Sequence, residues 1–144
     1  MFNVLVSTDD DLILTLLRVV FGVVIFAHGA QKMPGWFGGR GFKGTMAFFT
    51  GQGIPAPLAF LAIAAEFFGG LGLVVGLLAR IAAFGILCNM VVAIATVHAP
   101  FGFFMNWHGK QKGEGYEYHL LAIAIALAIL IRGAGALSLD RLLM

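Results

Sequence analysis

The sequence predicts an all-α fold: an integral membrane four-helix bundle with a short interfacial helix in its first long loop. Of the 144 residues, 60% are apolar and 11% are charged, whereas soluble domains carry roughly 25% charged residues. So few charges exclude both a soluble globule and a disordered chain. Four stretches also come close to the roughly 20 apolar residues that a helix needs to cross a bilayer. The predicted class is therefore a multi-pass protein of the cytoplasmic (inner) membrane.

Within a single domain of residues 1–144, the four spanning helices are predicted at about residues 12–31, 57–78, 80–98 and 116–132. The first is apolar apart from Thr15 and Arg18. Asp11 or Thr8 is its candidate N-cap, because both side chains can accept hydrogen bonds from the first turn of a helix. The acidic flank and Arg18 argue against a cleaved signal peptide.

Prolines and glycines mark the loops between the predicted helices. The segment Pro34–Pro57 is too long for a simple turn, and within it Thr45–Thr50 is predicted to form the interfacial helix. A second long loop begins at His98. Arg80 lies in a turn so short that the second and third spans must be antiparallel neighbours. The two long loops therefore share one side of the membrane, which we call the long-loop side.

Three polar side chains interrupt the first three spans at similar predicted depths. Arg18 lies ten residues before His28, the predicted end of the first apolar stretch, which is about 15 Å at 1.5 Å per residue. Glu66 and Asn89 each lie nine residues inside their helices from the same side, or about 14 Å. We therefore expect an Arg18–Glu66 ion pair supported by Asn89. Such a pair would either form the floor of a ligand cavity or only fix which helices are neighbours.

Most of the remaining polar residues gather on the long-loop side: His28, His98, His108, His119, Lys32, Glu114 and Glu117. Their spacing matches no compact metal-ligand motif, so no metal site is predicted. Histidines at helix ends also disfavour axial haem ligation. The single cysteine, Cys88, excludes a dithiol relay. A net charge of +2 with scattered basic residues gives no argument for a nucleic-acid partner.

Several local patterns resemble the DoxX family of four-span membrane proteins. They are Arg18 in the first helix, His28-Gly29 and Lys32 at its end, Ala65-Glu66 followed by Gly69-Gly70, and the segments Gly115–Tyr118 and Gly133–Arg141. Ala134 stands where that family usually has a proline. The resemblance covers nearly the whole chain and implies a role beside thiosulfate:quinone oxidoreduction, redox-stress complexes or resistance to quinones and electrophiles. The matching positions are Arg18, Lys32, Glu66, Glu117 and Asp140.

Three functions stay open at this point. The first is a membrane component that binds a quinone or a similar small apolar ligand, through Arg18, Glu66, Asn89, His28, Lys32, His98, Glu117 and His119. The second is a non-catalytic scaffold that recruits a soluble redox enzyme through the long loops. The third is a small-solute transporter, which would need a homo-oligomer because four helices enclose little space. Whether the chain is an enzyme stays open, and quinone is the cofactor considered. The expected partners are the lipid bilayer, a soluble redox enzyme and further copies of the chain.

Overall fold

The computed structural model describes residues 2–144, and no β-strand occurs among them. The helices are α1 Phe2–Val6, α2 Leu12–Lys32, α3 Gly41–Gly51, α4 Ala56–Val75, α5 Ala79–Phe101, α6 Glu117–Arg132 and α7 Leu139–Leu143. The predicted all-α class is confirmed. Among the described residues, three helices are long and apolar enough to cross a membrane, namely α2, α4 and α5. The fourth, α6, has 16 residues, or about 24 Å at 1.5 Å per residue.

The helices α2, α4, α5 and α6 pack in a ring in which α2 contacts α4, α4 contacts α5, α5 contacts α6, and α6 returns to α2. The centre of the ring is filled by aliphatic and small side chains, among them Ile25, Leu73, Ile86, Ala126 and Ile129. Large apolar side chains such as Phe84 and Leu121 point outward and are exposed. An apolar exterior around an apolar core suits a bundle surrounded by lipid.

The two antiparallel helices α2 and α4 approach closely because glycines face the contact. A Cβ atom on Gly29 would lie 2.5 Å from the backbone nitrogen of Phe67, and one on Gly70 would lie 2.5 Å from that of Phe26. Real side chains cannot approach so closely, so only glycine fits at these positions. Small residues allow such backbone contact between membrane helices. The contact fixes the axial register, which places Glu66 beside the last turn of α2.

The start of α2 and the end of α4 differ in how well the sequence predicted them. The carboxylate of Asp11 accepts hydrogen bonds from the backbone N–H groups of Ile13 (2.8 Å) and Leu14 (3.0 Å), so Asp11 is the N-cap. Helix α4 ends at Val75 rather than at the predicted residue 78. The reason is the backbone of Gly76, whose φ of 71° is left-handed and ends the helix.

The interfacial helix α3 is longer than predicted, since it covers Gly41–Gly51 rather than Thr45–Thr50. It packs against α4 and the end of α2. The guanidinium of Arg40 lies 4.5 Å from the centroid of the Phe48 ring, which is a cation–π contact. Helix α3 therefore covers the part of α4 that extends beyond the end of α2.

Candidate functional site

The polar centre of the bundle is an ion pair between Lys32 and Glu66, with Asn89 on its other side. Lys32 Nζ lies 2.5 Å from Glu66 Oε1, and Asn89 Nδ2 donates to the same oxygen at 2.7 Å. The side chain of Glu66 is 3% exposed and that of Lys32 is 28% exposed. Three helices, α2, α4 and α5, thus meet through charged and amide groups on the long-loop side.

Local distortions of the helices place two of the predicted site residues. Glu66 lies in a π-helical turn, Ala65–Gly69, within α4. His98 ends a second π-helical turn, Ile94–His98, within α5. A π turn interrupts the regular hydrogen bonds of an α-helix and inserts one extra residue, which changes where the neighbouring side chains point. Such turns occur frequently at functional sites. Both π turns lie on the long-loop side of the bundle.

Aromatic and imidazole rings lie close to one another on the same side of the bundle as the ion pair. The ring centroids of His28 and Tyr118 are 5.9 Å apart, those of His98 and His119 are 4.1 Å apart, and those of Tyr118 and His119 are 5.4 Å apart. The ammonium of Lys32 lies 5.8 Å from the ring centroid of Phe49. His28 and His119 both lie within electrostatic range of Lys32. We call Lys32, Glu66, Asn89, Tyr118 and His119 the polar cluster.

Two atoms of the polar cluster are buried and lack a hydrogen-bond partner among the described residues. They are the hydroxyl of Tyr118 and Nδ1 of His119. His119 is 7% exposed, so bulk water does not satisfy its ring nitrogen. Buried polar atoms are almost always hydrogen-bonded, and leaving one unsatisfied costs roughly 1–3 kcal/mol. The cluster therefore has free hydrogen-bonding capacity inside the bundle.

Three members of the polar cluster lie in a segment that is similar to a known family. The profile of the DoxX family matches residues 13–99, which include Lys32, Glu66 and Asn89. The chain belongs to the DoxX family. A relative from Bacillus subtilis (strain 168), named "Putative oxidoreductase CatD", is 36% identical over 88 residues, which make up 60% of this chain and 61% of the relative. The chain thus spans about three-fifths of that relative. No solved structure matches the chain.

The DoxX match ends before α6, so the polar cluster combines two parts of the chain. Glu66 and its partners come from the matched segment, whereas Tyr118 and His119 come from the first turn of α6. Tyr118 was not among the predicted site residues. A signal was present in the sequence, because Glu117, Tyr118 and His119 are three consecutive polar residues at the start of an otherwise apolar helix.

The predicted Arg18–Glu66 ion pair is wrong, although Arg18 is buried, with 1% exposure. Its guanidinium donates instead to the carbonyl oxygens of Leu73, Val74, Ala134 and Leu137. Gly29, eleven residues further along α2, lies against Glu66, so Arg18 and Glu66 are separated by about 16 Å along the helix. The depth estimate assumed that helix ends are level, but α4 begins well beyond the end of α2.

Glu117 and His98 hold the second long loop in place. The Oε1 atom of Glu117 accepts hydrogen bonds from the backbone N–H of Met105 and from Nε1 of Trp107, both at 2.9 Å. His98 Nδ1 donates to the carbonyl oxygen of Glu114 at 2.8 Å. Glu117 therefore braces the loop, whereas the ring of His98 packs against that of His119 at a tilt of 42°. Across residues 2–144, no group of three His, Cys, Asp or Glu side chains could hold a metal ion.

Proposed function

We propose that the protein is a multi-pass component of the cytoplasmic membrane that binds a quinone, or a ring of similar polarity, in the polar cluster. The observation that carries this proposal is the incomplete hydrogen bonding of Tyr118 and His119 beside a fixed ion pair. Small-molecule sites combine apolar walls with a few convergent polar groups. The apolar helices of a DoxX membrane protein supply the walls, and the cluster supplies the polar groups.

The free groups suit a ring that carries two oxygens. A tyrosine hydroxyl both donates and accepts hydrogen bonds, and an imidazole nitrogen does either according to its tautomer. They can therefore donate to the carbonyl oxygens of a quinone and accept from the hydroxyls of the quinol. Lys32, which has three donors and no acceptor, adds positive charge beside the ring oxygens. This combination favours a ligand that changes between the two redox states.

Reduction of a quinone to a quinol takes up two electrons and two protons. We propose that the electrons come from a separate soluble oxidoreductase that docks on the long-loop side, and that the protons pass through the hydroxyl of Tyr118 and the ring of His119. The name of the Bacillus relative, an oxidoreductase, supports a redox role for this chain.

Equilibrium binding tests the proposal. The protein is reconstituted in phosphatidylcholine nanodiscs and titrated with decyl-benzoquinone, and binding is followed by quenching of tryptophan fluorescence. The variant His119→Phe keeps an aromatic ring of similar size but removes the free nitrogen. We expect its affinity for the quinone to fall about tenfold, because the loss of one hydrogen bond costs roughly 1.4 kcal/mol of binding free energy.

The matched control is His108→Ala, which removes an exposed histidine of the long loop away from the polar cluster. It should bind the quinone as the wild type does. Equal affinities for wild type and His119→Phe would contradict the proposed site. Wild-type protein that binds no quinone at any concentration would contradict the function itself and favour the scaffold, whose long loops would recruit the soluble enzyme without a ligand.

A further inference from the structure

A groove on the outside of the bundle lies beside His28, whose ring is close to that of Tyr118 in the polar cluster. It has a volume of about 260 Å³ and is lined by Ala27, His28, Gln31 and Phe37. The first three residues lie on the last turns of α2, and Phe37 belongs to the short 3-10 turn Trp36–Gly38 that folds back beside them. The backbone of Gly39 touches Gln31 so closely that no Cβ would fit there. The turn is therefore held firmly against α2.

His28 connects this groove with the interior. His28 is exposed and lines the groove, and the centroid of its ring is 5.9 Å from that of Tyr118, whose buried hydroxyl has no partner within residues 2–144. His28 is also within electrostatic range of Glu66 and Lys32. A ligand whose ring contacts Tyr118 would therefore have its next atoms beside His28, at the inner end of the groove.

The outer wall of the groove is strained and exposed. Phe37 has φ of 55° and ψ of 32°, a left-handed conformation that is unfavourable for a bulky residue. Its side chain is 72% exposed. Strained residues of this kind cluster at ligand clamps and binding sites. The chain thus maintains an unfavourable backbone that places an aromatic ring over the groove rather than in the core.

The position of the groove identifies what it would hold. Ala27, His28 and Gln31 lie one to five residues before the end of α2 at Lys32, which is about 2–8 Å along the helix axis. The groove therefore lies near the edge of the membrane-crossing part of α2, where lipophilic molecules dissolved in the bilayer are present.

We propose that the apolar tail of a lipophilic ligand lies in this groove, while the ring contacts Tyr118 and His119. This inference rests on the proposed function, because it assumes that the ring binds in the polar cluster. It adds that tail recognition is separate from ring recognition. Ala27 and Phe37 then determine which tails are accepted.

The test compares two probes in nanodiscs at equal mole fraction in the lipid: a benzoquinone without a tail and the same ring with a ten-carbon tail. Because both probes start from the lipid, the tail gains packing contacts in the groove rather than transfer from water, and the wild type should bind the tailed probe more tightly than the tailless one by that packing alone. The variant Ala27→Phe fills the groove. We expect it to weaken binding of the tailed probe to the level of the tailless probe and to leave binding of the tailless probe unchanged. Ala124→Phe, which adds the same ring at an exposed position of α6, should change neither.

The outcomes separate the two proposals. If Ala27→Phe affects both probes equally, or neither, the groove does not hold the tail, although ring binding lost in His119→Phe would still support the site. If neither probe binds the wild type, both proposals fall. A tailed probe with a diazirine at its far end gives a second measurement on the unmodified chain. Its label should appear within residues 27–37, and label confined to other segments would overturn the inference.

Discussion

The ion pair between Lys32 and Glu66 gives the sharpest prediction for stability, because its two partners are unequally buried. Glu66 is 3% exposed, whereas Lys32 is 28% exposed and is the last residue of α2. Replacing Lys32 by methionine leaves a buried carboxylate with Asn89 as its remaining hydrogen-bond donor among the contacts described. Replacing Glu66 by glutamine leaves a lysine that can extend its ammonium toward the membrane surface.

The two single substitutions should therefore differ in cost. Removing one member of a buried pair costs about 3–5 kcal/mol when the other is left uncompensated, and the hydrogen bond from Asn89 places Lys32→Met near the lower end of that range, about 3 kcal/mol. Glu66→Gln keeps an oxygen for Asn89 and strands no buried charge, so we expect about 1 kcal/mol. The double variant has no charge at either of the two positions. We expect it to cost about 2 kcal/mol, which is less than the sum of the singles by about 2 kcal/mol.

Equilibrium unfolding in mixed micelles of dodecylmaltoside and dodecyl sulfate, followed by circular dichroism, measures all four proteins of this double-mutant cycle. Coupling is the free energy of unfolding lost by the double variant minus the losses of the two singles. Additive losses, within about 0.5 kcal/mol, would show that the two side chains do not interact. A larger loss for Glu66→Gln than for Lys32→Met would refute the argument from unequal burial.

Two further predictions concern the helices around the cluster. Arg18→Leu should destabilise the protein by about 3 kcal/mol because four carbonyl oxygens lose their donor. Adding Glu66→Leu should lower the free energy of unfolding by the sum of the two single losses. A double variant that is more stable than Arg18→Leu alone would mean that the two side chains meet. Gly29→Ala should cost at least about 2 kcal/mol, since its Cβ would lie 2.6 Å from the carbonyl carbon of Glu66. The control Gly51→Ala has open space around it and should be neutral or slightly stabilising in the same unfolding assay; equal losses for the two alanines would refute the close contact.

The helices were predictable because their signal is long and local. An apolar run near 20 residues predicts a spanning helix whatever its neighbours are, and Asp11 marks the start of α2 through its own side chain. Helix ends that depend on backbone conformation were less predictable. The end of α4 is set by Gly76, whose left-handed φ is one of several conformations open to a glycine.

The contacts of the site were harder to predict because they depend on axial register and rotation. The sequence places Asn89 at the depth of Glu66, as support for an ion pair with Arg18, and in the structure Asn89 does donate to Glu66. Helices α2 and α4 are joined through a long loop and α3, so their register is set by glycine contacts that composition does not reveal. The ion pair of Lys32 with Glu66 does not follow from the sequence, because a predicted helix end gives no measure of the reach of its side chain.

Buried polar side chains lie in two places in the bundle, around Arg18 and Asp140 and in the polar cluster. The first set stabilises the fold, whereas the second can bind a ligand. Arg18 donates to four carbonyl oxygens, and the carboxylate of Asp140 accepts from the backbone N–H groups of Leu78 and Ala79. These groups join the end of α4, the start of α5 and the C-terminal segment, and their hydrogen bonds are internal. A ligand would have to break these hydrogen bonds in order to bind there. The hydrogen bonds that it forms would only replace those lost, so they would add no net binding free energy.

The polar cluster on the long-loop side is in the opposite condition. Its ion pair is fixed, yet Tyr118 and His119 have buried polar atoms without partners in the described part of the chain. A ligand that enters adds hydrogen bonds there without breaking any, so its binding free energy is not offset by lost internal bonds. Substitutions at Arg18 should consequently lower the free energy of unfolding while the quinone affinity of the folded fraction stays the same. Substitution of His119 should have the opposite effects. It should raise the free energy of unfolding, because it removes an unsatisfied buried atom, and it should lower the quinone affinity, because the ligand loses a hydrogen-bond partner.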